Sequence, residues 1–98
     1  MILRIVKMTF QKDKLAEFHQ LFDQHKQHIR HQSGCQHLEL HADPKDPRVR
    51  LTYSHWDSLD ALDAYRHSEL FGKVWPATKQ LFAERPEAFS LQFMERID

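Results

Sequence analysis

The order of strand-like and helix-like segments constrains the fold of this chain more than any other feature of its sequence. Residues 1–10, MILRIVKMTF, are rich in apolar and β-branched residues and predict a first strand. Asp13 is a predicted N-cap for a first helix, and Ser33–Gly34 predicts its end. The apolar residues of this helix recur at helical spacing: Leu15, Phe18, Leu21, Phe22 and Ile29. Residues 35–41 and 48–56 then predict two strands, joined by the turn sequence ADPKDP.

The second half of the chain predicts a split helical region and a last strand. Residues 59–68 predict a helix capped by Asp57 or Ser58. A third apolar stripe at helical spacing follows: Leu70, Phe71, Val74, Trp75, Thr78, Leu81 and Phe82. Pro76 lies inside this stripe and lacks the N–H that would bond to the carbonyl of Gly72, so a break or kink is expected within residues 72–76. Residues 87–97, EAFSLQFMERI, predict the fourth strand.

The resulting order, β-α-β-β-α-β, predicts an α+β fold of the ferredoxin-like kind. In that fold a four-stranded antiparallel sheet carries the helices on one face. Residues 1–98 are expected to form a single domain, because the chain has no linker, repeat or low-complexity segment. The first and last strands carry apolar residues on both faces, whereas the helices can cover only one. We therefore predict a homodimer packed sheet to sheet.

The charge balance argues against several kinds of partner. The chain has 14 Lys and Arg against 14 Asp and Glu, and the signs alternate without forming a block. Such a chain has no general attraction for nucleic acid or for an anionic membrane. The apolar run at the N-terminus is too short to span a bilayer. A single cysteine excludes an internal disulfide and fits a reducing cytoplasm, which is the expected location.

Histidine density raises the question of a metal site. Residues 18–41 contain six of the eight histidines and the only cysteine. His25, His28 and His31 follow one another at steps of three residues. Such steps spread side chains around the helix axis, so these imidazoles do not converge on one ion. On the second strand, Cys35, His37, Glu39 and His41 are expected to share a face, but His37, Glu39 and His41 together span too far for one ion. We expect no dedicated metal site. Two neighbouring residues of this strand could still bind a metal ion if another strand or the partner subunit supplied further ligands.

A pocket is predicted where the helical region bends. The expected kink would hold adjacent turns away from the sheet and leave a gap lined by large planar side chains: Phe22, Tyr65, Phe71 and Trp75. His25 is the nearest group able to exchange a proton near neutral pH, and Tyr53 is a second candidate for proton handling. The alternative is that these aromatic residues pack against one another as ordinary core, with His25 as a buried histidine bonded to the backbone.

The segment Trp56–Phe71, WDSLDALDAYRHSELF, resembles the pattern W-[DE]-S-x-x-A-L-x-A-[HY]-x-x-S of the antibiotic biosynthesis monooxygenase (ABM) family. The resemblance extends to SGCQHLEL and DPKDPRVRLTYSHW upstream and to LFAERPEAFSL downstream. It implies a dimeric α/β barrel with a pocket in each subunit between sheet and helices. It also implies relatives that are cofactor-independent monooxygenases of phenolic or quinol compounds, in which the substrate itself reduces dioxygen.

The match at individual residues is uneven. The polyketide-tailoring oxygenases of the family carry Asn four residues before the motif tryptophan and Tyr six after it, where this chain has Thr52 and Leu62; only Trp56 agrees. The haem-degrading members pair a tryptophan with a histidine ligand, and the corresponding positions here are Tyr65 and Trp75. No cofactor is therefore expected. The resulting hypothesis is a cofactor-independent monooxygenase of a small phenol or quinol, with Trp56 adding shape to the pocket. The alternative is a non-enzymatic dimeric member that binds a ligand or serves a structural role.

Overall fold

A computed structural model describes residues 1–98, and its elements follow the predicted order. A single 3-10 turn at Lys12–Lys14 precedes the first helix. The strands and helices are β1 (Ile2–Thr9), α1 (Leu15–Arg30), β2 (Cys35–Ala42), β3 (Val49–Trp56), α2 (Leu59–Arg66), α3 (Glu69–Lys79) and β4 (Glu87–Gln92). None of the helices combines the length and the apolar character that crossing a membrane requires.

The four strands form one antiparallel sheet in the order β2-β3-β1-β4. This order, with the helices on one face, confirms the predicted α+β ferredoxin-like fold. The strand register fixes which side chains share a face, because alternate residues of a strand point to opposite sides. Arg4 in the central strand β1 is directly paired with Ser54 of β3 and Ser90 of β4. These three residues therefore lie on the same side of the sheet, the side that the helices cover.

Two separate hydrophobic cores hold the helices on the sheet, one near each end of β1. The first, here the Trp56 core, consists of Ile2, Cys35, Trp56 and Leu62. The second, here the Phe10 core, consists of Met8, Phe10, Phe18 and Leu81. Trp56 and Phe10 are the largest fully buried side chains. Because the cores occupy opposite ends of β1, the middle of the sheet between them is left for other residues.

The starts of the first two helices differ in how they are capped. Asp13 lies inside the 3-10 turn, and no side chain caps the start of α1, so the predicted N-cap is wrong. The residue before the turn, Gln11, has extended backbone, and the chain enters the helix through the tighter turn instead. At α2 the cap is Ser58, whose Oγ accepts a hydrogen bond from the N–H of Ala61 at 3.1 Å.

The predicted break within residues 72–76 is wrong. Helix α3 runs without interruption through Gly72 and Pro76, and the helical region breaks earlier, between α2 and α3. At that break the Oγ of Ser68 accepts a hydrogen bond from the N–H of Phe71 at 3.1 Å, which caps α3. The proline is tolerated because the carbonyl it leaves unbonded belongs to the exposed Gly72, where water can satisfy it.

Strand β4 ends at Gln92, five residues before the predicted end at residue 97. The reason is its partner: Ile2, the first residue of β1, pairs with Gln92, and the last backbone bond joins the N–H of Phe93 to the carbonyl of Met1. Beyond that point β1 offers no further backbone groups. The strand is exposed along its whole length.

The sheet face opposite the helices, here the open face, is rich in apolar side chains. Strand register places Leu3 beside Leu91 and Ile5 beside both Phe89 and Tyr53 on this side. Phe89 is 52% exposed and Leu91 is 46% exposed. Adjacent exposed apolar residues of this size are typical of a surface that meets a partner.

Candidate functional site

An apolar cavity of about 170 Å³ lies between the helices and the middle of the sheet. Its floor includes the small side chains Thr52, Ser54 and Ala88, beside Val6 of β1. Larger residues of the Trp56 core and the Phe10 core keep the helices at a distance from the sheet at both ends of β1. Small residues on the floor cannot fill the space between, so the void follows from the distribution of side-chain sizes along the strands.

Stacked aromatic rings form one wall of the cavity. The ring of Tyr65 stacks on Trp56 with centroids 4.9 Å apart, and Phe71 meets Tyr65 edge-on at 5.3 Å. Trp75 stacks on Phe71 at 5.8 Å, which continues the series along α3. These four residues and Phe22 of α1 all line the cavity, so the five predicted ligand-contacting residues lie together. Their role in binding a substrate stays a prediction.

Few polar groups line the cavity, and some of them are already engaged. The Oγ of Ser54 accepts a hydrogen bond from Trp56 Nε1 at 3.0 Å, and Thr78 donates to the carbonyl of Val74 at 2.8 Å. Burial, followed by the neighbouring Cys35, raises the pKa of Tyr65 to about 12. Its phenol is therefore neutral at physiological pH, where it can donate a hydrogen bond but cannot serve as a base.

Two arginines complete the polar lining, and no Asp, Glu, His or Cys lines the cavity. Arg4 rises from the floor, where its Nη1 donates to Ser90 Oγ at 2.8 Å. Arg66 lies at the end of α2, with Nη1 4.0 Å from Asp63 Oδ1. Burial lowers the pKa of Arg4, and the nearby guanidinium of Arg66 lowers it further, with Asp63 opposing. An arginine still remains protonated under any physiological condition.

Sequence reasoning missed Arg4, Arg66 and the floor residues Thr52 and Ser54. A signal for the first was present, since Arg4 is the only charged residue on its face of β1, among Ile2, Val6 and Met8. A charge on a strand face that helices cover indicates either a buried partner or a polar cavity.

The two predicted proton-handling residues do not line the cavity. Tyr53 lies on the open face, because strand alternation directs its neighbours Thr52 and Ser54 toward the helices. His25 is partly buried on α1, and its Nδ1 is buried without a hydrogen-bond partner. The structure thus places neither side chain in the cavity lining, and their catalytic roles stay predictions.

The histidines of α1 are dispersed along the helix. The Nδ1 of His31 lies 2.7 Å from the carbonyl oxygen of Gln27, which engages that imidazole with its own helix. The rings of His25 and His28 are tilted to each other with centroids 6.3 Å apart. Nowhere in the chain is a group of three His, Cys, Asp or Glu side chains arranged to hold a metal ion.

The histidines of β2 belong to a hydrogen-bonded cluster on the open face. The carboxylate of Glu39 accepts a hydrogen bond from Nε2 of His37 and another, at 2.6 Å, from Nε2 of His41. Both bonds lower the pKa of Glu39, and the bond from His37 has the larger effect. The ring of His55 lies 4.8 Å from that of His37 and 4.9 Å from that of Tyr53. Burial, then His37, lowers the pKa of His55. Both oxygens of Glu39 are thus occupied by imidazoles.

The fold agrees with comparisons to known proteins. The chain belongs to the antibiotic biosynthesis monooxygenase family, whose family model matches residues 1–75. The match includes the first three strands, α2 and the aromatic wall up to Trp75. No curated protein matches the chain by sequence.

Solved structures share the fold over almost the whole chain. A crystal structure of an antibiotic biosynthesis monooxygenase has a TM-score of 0.90 at 18% identity, covering 97% of this chain and 100% of the other. Rv0793 from Mycobacterium tuberculosis has a TM-score of 0.88 at 18% identity, covering 99% and 98%. A conserved protein from Methanosarcina mazei Go1 has a TM-score of 0.87 at 18% identity, covering 94% and 92%. At such identity the likeness concerns the fold alone.

Proposed function

We propose that the protein is a cofactor-independent monooxygenase that oxidises a small phenolic or quinol compound inside the cavity. The observation that carries the proposal is an apolar space walled by stacked aromatic rings, with the neutral phenol of Tyr65 at its edge. Its volume of about 170 Å³ is close to the roughly 150 Å³ of an engineered cavity that binds benzene. A single aromatic ring therefore matches the space better than a fused-ring system does.

In the proposed reaction the substrate supplies all four electrons that reduce O₂, two for the oxygen atom that enters the ring and two for the atom that becomes water. 1,4-Dihydroxybenzene and O₂ give 2-hydroxy-1,4-benzoquinone and water, so one oxygen atom enters the ring and the other leaves with two hydrogens. Loss of a phenolic proton makes the ring electron-rich enough to reduce dioxygen. The protein supplies orientation through the aromatic wall, a hydrogen bond from the Tyr65 hydroxyl, and exclusion of water by the apolar lining.

The removal of that phenolic proton requires a base. His25 and Tyr53 remain the predicted proton-handling groups, and His25→Ala and Tyr53→Phe test them by oxygen uptake. One observation favours the alternative, a non-enzymatic dimeric ligand-binding protein: no imidazole or carboxylate lines the cavity. The buried free thiol of Cys35 fits the reducing cytoplasm in which we propose that the protein works.

Filling the cavity is expected to abolish the activity. In Val74→Phe an added ring would occupy the space from the α3 side, so oxygen uptake with 1,4-dihydroxybenzene should fall by at least about tenfold. The matched control is Leu59→Phe, because Leu59 is 55% exposed at the start of α2 and lies outside the cavity. Uptake and thermal shift are measured on the same samples.

The outcomes of that experiment separate the two functions. Stabilisation by phenols or quinols in a thermal shift, without oxygen uptake by any of them, would replace the enzyme with a ligand-binding protein. Equal uptake by Val74→Phe and Leu59→Phe would place the reaction outside this cavity.

We also propose that two copies pair through the open face, because its apolar residues have no cover within one chain. Sedimentation at micromolar concentration should give twice the 11.8 kDa mass of one chain. Phe89→Glu should return the protein to a monomer by burying a charge at the contact. Leu59→Glu is the control on the helix side, at a similar exposure of 55%. A wild-type protein that sediments as a monomer would contradict the proposal.

A further inference from the structure

We propose that the ligand of the cavity is an anion, a one-ring phenol or quinol that carries a carboxylate, bound by the guanidinium groups of Arg4 and Arg66. The inference rests on the proposed function in one respect, that this cavity is the binding site, and it adds the charge of the ligand.

The two arginines approach the cavity from opposite sides. Arg4 stands on the floor in the central strand, and Arg66 lies at the end of α2 above it. The positions beside Arg4 on both neighbouring strands are serines, Ser54 and Ser90. Their short side chains leave the guanidinium unobstructed on either side, so its free donors are available to an occupant of the cavity.

The protein does not fully neutralise the positive charges of Arg4 and Arg66. Arg4 and Arg66 are the only charged residues that line the cavity. The hydrogen bond from Arg4 goes to the neutral hydroxyl of Ser90, and Arg66 has one exposed carboxylate, Asp63, at a separation of 4.0 Å. Arg66 also acts on Arg4 as a like charge, which lowers the pKa of Arg4 beyond the effect of burial, with Asp63 opposing. The partly buried Arg4 and the exposed Arg66 thus share one carboxylate, Asp63, and keep a net positive charge that an anion placed between them can balance.

A carboxylate is the anion that suits this pair and this space. Guanidinium groups bind carboxylates through paired N–H donors of matching geometry, which fixes orientation as well as charge. The aromatic wall of Trp56, Tyr65, Phe71 and Trp75 can hold the ring while the carboxylate faces the arginines. A ligand bound at both ends in this way presents its ring in one orientation, which an uncharged quinol would not.

The test compares two compounds that differ by one carboxylate, 1,4-dihydroxybenzene and 2,5-dihydroxybenzoate. Dissociation constants are measured by calorimetry at low ionic strength for the wild type, Arg4→Met, Arg66→Met and Arg96→Met. The wild type should bind the benzoate at least about tenfold more tightly. Each variant at the cavity should lose most of that preference, measured as the ratio of the two dissociation constants.

Arg96→Met is the matched control, because it removes the same charge from the exposed C-terminal segment, where Arg96 pairs with Asp98. It should keep the full preference. If Arg4→Met does not fold, Arg66→Met at an exposed helix end carries the same comparison.

Three results would overturn the inference in distinguishable ways. Equal affinity of the wild type for both compounds would remove the anion and leave the proposed cavity function intact. A preference that survives both Arg4→Met and Arg66→Met would assign the charge recognition to another surface. Failure of both compounds to bind would remove the cavity function and this inference with it.

Discussion

Replacing Trp56 with alanine is expected to lower the free energy of unfolding by about 4 kcal/mol. The side chain is only 1% exposed and packs against Ile2, Cys35 and Leu62. Its ring stacks on Tyr65, and its Nε1 donates to Ser54 Oγ. The substitution removes the centre of one of the two cores, creates a large void and leaves a buried hydroxyl without its donor.

The measurement is urea denaturation followed by far-UV circular dichroism at one fixed protein concentration, since pairing of chains would make stability depend on concentration. Trp75→Ala is the control, because Trp75 is only partly buried. Its loss should be roughly half as large. A loss below about 1.5 kcal/mol for Trp56→Ala would mean that the Trp56 core is not a main source of stability.

The two glycines of the chain are expected to respond to alanine with opposite signs. Gly34 has a φ of +84°, and a Cβ there would lie 2.5 Å from Ala61 Cβ of α2. Left-handed backbone and overpacking together should make Gly34→Ala destabilising by roughly 2–4 kcal/mol. A Cβ at Gly72 meets no atom within 4 Å, and Gly72 lies inside α3. Gly72→Ala should therefore stabilise by roughly 0.5–1 kcal/mol.

Thermal melts of the two variants beside the wild type check this pair of signs. A neutral Gly34→Ala would show that the turn between α1 and β2 relaxes without cost. A destabilising Gly72→Ala would show that the exposed side of α3 contacts something that one chain alone does not contain.

The order of the elements was predictable because periodicity is a local property, but their ends depend on partners. The extent of β4 is set by where β1 begins, and no pattern within residues 87–97 contains that information. The position of the helical break depended on the cap that Ser68 provides and on the exposure of Gly72, rather than on the presence of a proline.

Part of the aromatic wall was predictable for the same local reason, since Phe71 and Trp75 recur at helical spacing on α3. The cavity floor was not, because Thr52, Ser54 and Ala88 come together only through the register of three strands. Strand alternation alone predicts the position of Tyr53. It lies between Thr52 and Ser54, which face the helices, so its side chain points to the opposite side of the sheet. The pocket itself was predicted from an expected kink, whereas its physical origin is the small size of the floor residues.

The division of the stabilising residues between the two ends of β1 has a consequence for how this protein can change over evolutionary time. Four of the eight core residues also line the cavity, but floor residues such as Thr52 and Ala88 belong to neither core. A substitution at a floor position such as Thr52 or Ala88 alters the shape of the cavity while the Trp56 core and the Phe10 core stay unchanged. A lineage built on this plan can exchange one small molecule for another by single substitutions, without passing through an unfolded intermediate sequence.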